Sequence, residues 1–158
     1  MANRKKKKSG SNAQINAERK MVFSYSNRKN IKELDKKTFN FDEIRIEVDG
    51  YSEESGIACE AWAHIGKPKA AQKAKIMKDA AKLLFLEKKL KRKLTKALLF
   101  CDHDAFDYFN FRNSSNWMAA CLNEWGFELE YIELQDDILK SLKKLQKKQS
   151  EAMRKINS

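Results

Sequence analysis

The chain has 158 residues, of which 35% are charged, and a formal net charge of +11. Such a length suits one domain with a core of its own, and such a charge favours a polyanionic partner, because clustered lysine and arginine raise both affinity and association rate for phosphate. No apolar run approaches the ~20 residues of a membrane-spanning helix, no glycine-rich loop is present to cradle a nucleotide, and no serine or cysteine stands in a nucleophile motif with a paired histidine.

The first element is a basic run, Arg4, Lys5, Lys6, Lys7 and Lys8, followed by Ser9-Gly10-Ser11. Its composition predicts a flexible arm over residues 1–11 that contacts nucleic acid, with residues 12–158 forming a single domain. Residues 12–37 read as a mostly polar helix with Met21, Val22, Phe23, Ile31 and Leu34 as buried candidates, broken near 24-SYSN-27. Alternating Ile44, Ile46 and Val48 predict a strand over 41–48. The Gly- and Ser-rich stretch 50–56 reads as a turn, and 57–64 as a second strand. Gly66 breaks that strand, Pro68 suits a first helical position, and a helix is expected over 68–86.

Residues 87–95, EKKLKRKLT, read as a basic connector in which Lys91 and Arg92 supply further phosphate contacts. The continuous apolar run 96-KALLFC-101 predicts a strand buried on both faces. An aromatic stretch, 103–113, reads as a short helix or ordered loop. Capping residues 114-SSN-116 open a helix over 117–125 that Gly126 closes. A strand over 127–134 then leads to a last helix, with Asp136 and Asp137 at its start and lysines toward its end, as the helix dipole favours. This alternation predicts an α/β fold in which a mixed β-sheet is flanked by helices.

Cys59, Cys101 and Cys121 are odd in number and widely spaced, which points to free thiols in a reducing compartment. The basic N-terminus has no apolar run behind it, so no signal peptide is expected. The expected location is cytoplasmic, nucleoid-associated in a bacterium, or nuclear where the arm serves as an import signal.

Two acids break the apolar hairpin. Asp49 ends one predicted strand and Glu60 lies eleven residues on in the next, so a hairpin brings their carboxylates near one another. Paired carboxylates are hard oxygen ligands of the kind Mg²⁺ accepts; a solvated strand residue and a turn acid would account for them equally simply. The helix that follows weighs on the choice. At about 100° per residue, Lys73 shares the apolar face with Met77, Ala80 and Leu84, and Lys69 points nearly the same way. Lys75, Lys78 and Lys82 fall on the opposite, polar side with Gln72 and Asp79. A lysine on an apolar face needs an escape to solvent or an anion to meet.

Asp49, then Glu60-Ala61-Trp62 on the next strand, then a helix, resembles the PD-(D/E)XK nuclease superfamily, the fold of many restriction-type endonucleases. The resemblance covers roughly residues 12–134 and implies a restriction-endonuclease-like core. It implies Asp49 and Glu60 as ligands of Mg²⁺ or Mn²⁺, with an acid of the first helix, Glu18 or Glu33, completing the site. Trp62 stands where the motif has its catalytic lysine. Some members of the superfamily carry that lysine on the following helix, which implies Lys73, with Lys69 second. His64 shares a face with Glu60 and is a candidate phosphate contact. The function so implied is metal-dependent hydrolysis of nucleic acid, DNA rather than RNA, with a homodimer or partner protein as a further expectation. The alternative is a non-catalytic nucleic-acid-binding or adaptor module on the same fold.

Overall fold

The computed structural model describes the backbone of residues 2–158 and the side chains of residues 12–158. The basic arm expected over residues 1–11, with Lys5, Lys6, Lys7 and Lys8, lies outside the described side chains. In chain order the elements are α1 (Ala2–Lys29), β1 (Asp35–Phe41), β2 (Ile44–Ser52), β3 (Ile57–Trp62), α2 (Ala70–Leu90), β4 (Thr95–Phe100), α3 (His103–Phe109), α4 (Trp117–Glu124), β5 (Glu128–Tyr131) and α5 (Asp136–Ile156). Five strands form one sheet in the order β1-β2-β3-β4-β5. The first three run antiparallel as a meander, whereas β3–β4 and β4–β5 pair in parallel through helical crossovers. The expected mixed sheet flanked by helices is the observed architecture.

Period-two alternation along the central strands splits the core into two layers. Ala58 and Trp62 of β3 with Leu98 and Phe100 of β4 meet α2, α3 and α4 through Ile76, Leu83, Leu86, Phe109 and Leu122. Cys59, Ala61 and Ala63 with Ala97, Leu99 and Cys101 meet α1 and α5 through Ala17, Met21, Tyr25, Ile138 and Leu142. All three cysteines are free thiols, Cys59 and Cys101 buried. Among the described residues no helix is long and apolar enough to cross a membrane.

The largest departure from expectation is β1, whose first residues, 35–37, were read as the end of the first helix and whose last, Phe41, was read as the start of the next strand. Asn30, in the left-handed conformation at φ 52°, stops α1, and the Ile31 N–H caps the Ser26 carbonyl at 2.8 Å. The strand's outward side chains are polar, and only Phe39 is buried, so its alternation is hidden among lysines. Asp42, at φ 55°, makes the tight turn into β2. Burial along β2 fades toward that turn: Val48 is buried, Ile46 half-buried and Ile44 exposed. The helix expected over 68–86 continues to Leu90 and ends at left-handed Lys91, which shortens the expected basic connector.

A second departure matters for function. Stretch 50–52, read as a turn, is strand, and β2 carries one residue more than β1 where Asp35 pairs with Tyr51 but Lys37 with Val48. The bulge falls on Asp49 and Gly50 and reverses the faces: Val48 and Tyr51 enter the α2 layer, while a Cβ on Gly50 would meet Cys59 Sγ at 2.6 Å and Leu34 and Val22 at 3.1 Å in the α1 layer. Only glycine fits there. Gly50→Ala is expected to lower stability by about 1–3 kcal/mol through overpacking, read as a lower denaturant midpoint. An unchanged midpoint would mean that the Cys59 thiol moves aside freely.

Candidate functional site

Strands β2 and β3 pair only over Gly50–Ser52 and Ile57–Cys59. Beyond Cys59 the ladder stops, and the Ala61 N–H donates instead to the Asp49 Oδ2 carboxylate oxygen at 2.9 Å. The bulge in β2 thus opens a cleft between two strands and fills its mouth with a carboxylate, a use of bulges common beside functional sites. Glu60, one residue before Ala61, is buried, at 5% exposure. Burial, and then the nearby charge of Asp49, push its carboxyl up to about 9, with Lys82 pulling the other way.

Two further acids face this pair. Glu18 of α1 is half-buried, and burial followed by the charge of Asp49 raises its carboxyl to about 7. Glu18 and Asp49 both line a groove of about 810 Å³ between α1 and the β1–β2 hairpin. Asp79 of α2 raises the pKa of both Glu18 and Glu60 by its charge. Four carboxylates from α1, β2, β3 and α2 therefore lie within electrostatic reach of one another, an arrangement that is costly without cations.

Helix α2 supplies those cations from the face that carries Lys75, Asp79 and Lys82. Lys75 Nζ donates to Asp79 Oδ2 at 3.0 Å and sits 5.8 Å from the centre of the Trp62 ring. Burial works against its ammonium, but Asp79, Glu60 and Asp49 outweigh that and raise its pKa. Lys82 Nζ approaches Glu60 Oε1 at 2.8 Å and Asp79 Oδ1 at 3.8 Å. The approach to Glu60 is close but poorly angled, so Oε1 remains without a hydrogen bond among the described residues, as does the buried Trp62 Nε1. A void of about 10 Å³, the room of roughly one water, is lined by Glu60, Trp62 and Asp79 together with the apolar Ala61, Ile76, Leu98 and Phe100.

The expected site residues divide accordingly. Asp49 and Glu60 are brought together. Of the two first-helix acids, Glu18 couples to Asp49, whereas Glu33 lies past the end of α1 with its backbone at φ 53° and lines the same groove as an exposed residue. Lys73 is not brought to the acids: its ammonium rests 4.3 Å from the centre of the Tyr108 ring. A cation on an apolar face is accommodated by an aromatic face rather than by an anion. Lys69 is the exposed N-cap of α2, its N–H bonded to Gln72 Oε1 at 2.8 Å. His64 stacks on Trp62, and its Nε2 lies 2.8 Å from Gln72 Nε2. Because Gln72 Oε1 already accepts from Lys69, the amide nitrogen donates to His64, which makes Nε2 an acceptor; burial also works against the imidazolium form. Lys91 is exposed at the C-cap of α2, and Arg92 is held to the β2–β3 turn by Glu53, its Nη1 donating to the Glu53 carbonyl at 2.6 Å.

Lys75, Asp79 and Lys82 were assigned by the helical wheel to solvent; Asp79 and Lys82 turn toward the acids, and Lys75 borders them while remaining exposed. Their spacing of four and three residues put an acid between two lysines on one face just after a strand bearing Glu60, and that ladder was the available signal.

The acids present suit a divalent cation in donor chemistry. Among the described residues no three His, Cys, Asp or Glu side chains stand close enough for a ready-made metal cage, but Mg²⁺ keeps several waters and takes only one or two carboxylates from a protein. Glu60 Oε1 has Lys82 Nζ at 2.8 Å as its cation, and the void beside it holds about one water, so Mg²⁺ with its waters would need the groove that Asp49 and Glu18 line. Comparison with family models, curated proteins and solved structures finds no match to this chain.

Proposed function

We propose that the protein is a divalent-metal-dependent nuclease with a restriction-endonuclease-like core, cleaving phosphodiester bonds of nucleic acid, DNA rather than RNA. The observation that carries this reading is the convergence of Asp49 and Glu60 with Glu18, Lys75 and Lys82, from α1, β2, β3 and α2, at the point where β2 and β3 part. The succession α1-β1-β2-β3-α2-β4, antiparallel and then parallel at β3, supports it.

Asp49 and Glu60 would hold Mg²⁺ or Mn²⁺, with Glu18 beside Asp49. When bound, the metal supplies Lewis-acid polarisation of the phosphate and lowers the pKa of a coordinated water. Lys75 takes the place of the strand lysine that Trp62 displaces. With its pKa raised, it stays an ammonium and serves to hold water or phosphate oxygen and to offset developing negative charge, rather than to remove a proton. The Trp62 ring beneath it forms an apolar floor that fixes the ammonium's position. Lys82 stands 2.8 Å from Glu60 Oε1, where a bound cation would displace it.

The Lys82–Glu60 ion pair also favours a second reading, in which the acids are stabilised by lysine alone and the domain only binds nucleic acid. Incubation of supercoiled and linear DNA, single-stranded DNA and RNA with Mg²⁺ or Mn²⁺ separates the two. Cleavage that stops in EDTA is the expected result; binding without cleavage under every metal would establish the second reading.

A further inference from the structure

At the ends of β3 and β4 away from the β2–β3 turn, loop 63–69 leads into α2, and α3 is followed by the loop 110-NFRNSSN-116. Carboxyl ends of parallel strands are where open α/β sheets gather ligands. This loop and the first residue of α4 display aromatic rings to solvent: Phe111 is 49% exposed and Trp117 67% exposed. It is not a loose segment. Asn116 Nδ2 donates to the Tyr108 carbonyl at 2.7 Å, its Oδ1 accepts from the Ala119 N–H at 2.9 Å, and Asn113 donates to Asp107 at 3.1 Å. The rings are thus held out on a braced turn, and no neighbour among the described residues covers them.

Cations reach this loop from the α2 side. Lys73 lies over Tyr108, Arg112 is exposed between the two rings in sequence, and Lys67 and Lys69 are exposed on the neighbouring loop. The acids nearby all belong to α3 and its N-cap: Asp107 accepts from Asn113, Asp102 caps the first turn, and Asp104 is exposed on the side of α3. Exposed rings among cations bind bases splayed from a strand, because every base offers a π-face and each linkage a phosphate, whereas a duplex keeps its bases stacked inside.

We propose that Trp117 and Phe111, with Arg112, form a stacking platform for unpaired bases, so that the substrate of the site on the same α2 layer carries a single-stranded segment. The platform rests on the nucleic-acid part of the reading above but not on catalysis. A dye-labelled oligo(dT) strand and a duplex of equal length, titrated in EDTA into wild type, Trp117→Ala, Phe111→Ala and Arg112→Ala, test it by anisotropy. Removal of either ring weakens oligo(dT) binding about tenfold and leaves duplex binding and the melting temperature unchanged, since both side chains are exposed. Equal losses on strand and duplex, or no loss on oligo(dT), would overturn the platform. So would a Trp117→Ala variant that only abolishes self-association, which would make the rings a protein contact. If wild type cleaves nothing with any metal while oligo(dT) binding still depends on Trp117, the platform stands and the nuclease reading falls; full cleavage of single strands by Trp117→Ala has the converse meaning.

Discussion

Asp49→Ala and Glu60→Ala are each expected to reduce metal-dependent cleavage on the order of 10³-fold or more, because each removes a carboxylate that no neighbour replaces at the opened end of the β2–β3 ladder. Lys75→Ala is expected to cost on the order of 10²-fold, the usual range for one group that offsets developing charge, with little change in melting temperature. Lys73→Ala serves as the internal control: its ammonium faces Tyr108, so cleavage stays within a few-fold of wild type. Single-turnover rates on a labelled duplex with a single-stranded segment, with circular dichroism to confirm folding, give the comparison. Loss of cleavage in Lys73→Ala with retention in Lys75→Ala would reverse the assignment of the ammonium. Glu18→Gln is expected to fall between these, since Glu18 neighbours Asp49 from a different element.

The second large effect concerns pH and metal together. Burial and Asp49 raise the Glu60 carboxyl from 4.5 to about 9, so between those values the metal-free folded state holds a proton that the unfolded chain has released. The stability from this group is fully present below about pH 4.5 and is lost as pH rises toward about 9; Glu18 adds a loss in the same direction up to about 7. A divalent cation binds the ionised carboxylate, so its affinity rises with pH through the same window. Mg²⁺ is therefore expected to raise the melting temperature far more at pH 8.5 than at pH 6. Glu60→Gln is expected to melt higher than wild type at pH 8.5 without metal, because the amide is neutral without taking up the proton that folding demands of Glu60 there, and it leaves Lys82 to pair with Asp79. The Mg²⁺ increment should vanish in that variant. A pH-independent increment, or one that survives Glu60→Gln, would place the ion elsewhere.

Much of this was legible from residue order. Apolar alternation and uninterrupted runs gave β3, β4 and their faces, and the pairing of Asp49 with Glu60 followed from a hairpin of that length. Strand β1 was not legible, because its polar side chains share the composition of the helix before it and only Phe39 carries the alternation. Nor was the bulge at Asp49 and Gly50, since one extra residue in a strand changes no local composition while exchanging the faces of everything beyond it.

The choice of lysine shows the division most sharply. A helical wheel separates an apolar from a polar face but cannot say what the polar face meets. On α2 the apolar face proved to include an aromatic ring that accepts Lys73, and the polar face proved to meet buried carboxylates rather than water alone. The sequence by itself determined the α/β succession, the basic character and the two hairpin acids, because these depend on periodicity, composition and short separations along the chain. Only the tertiary structure decided that Glu18, Lys75, Asp79 and Lys82 join those acids. They come from helices on opposite faces of the sheet, and their mutual distances depend on packing and on a bulge whose energetics are set by contacts far apart in the chain.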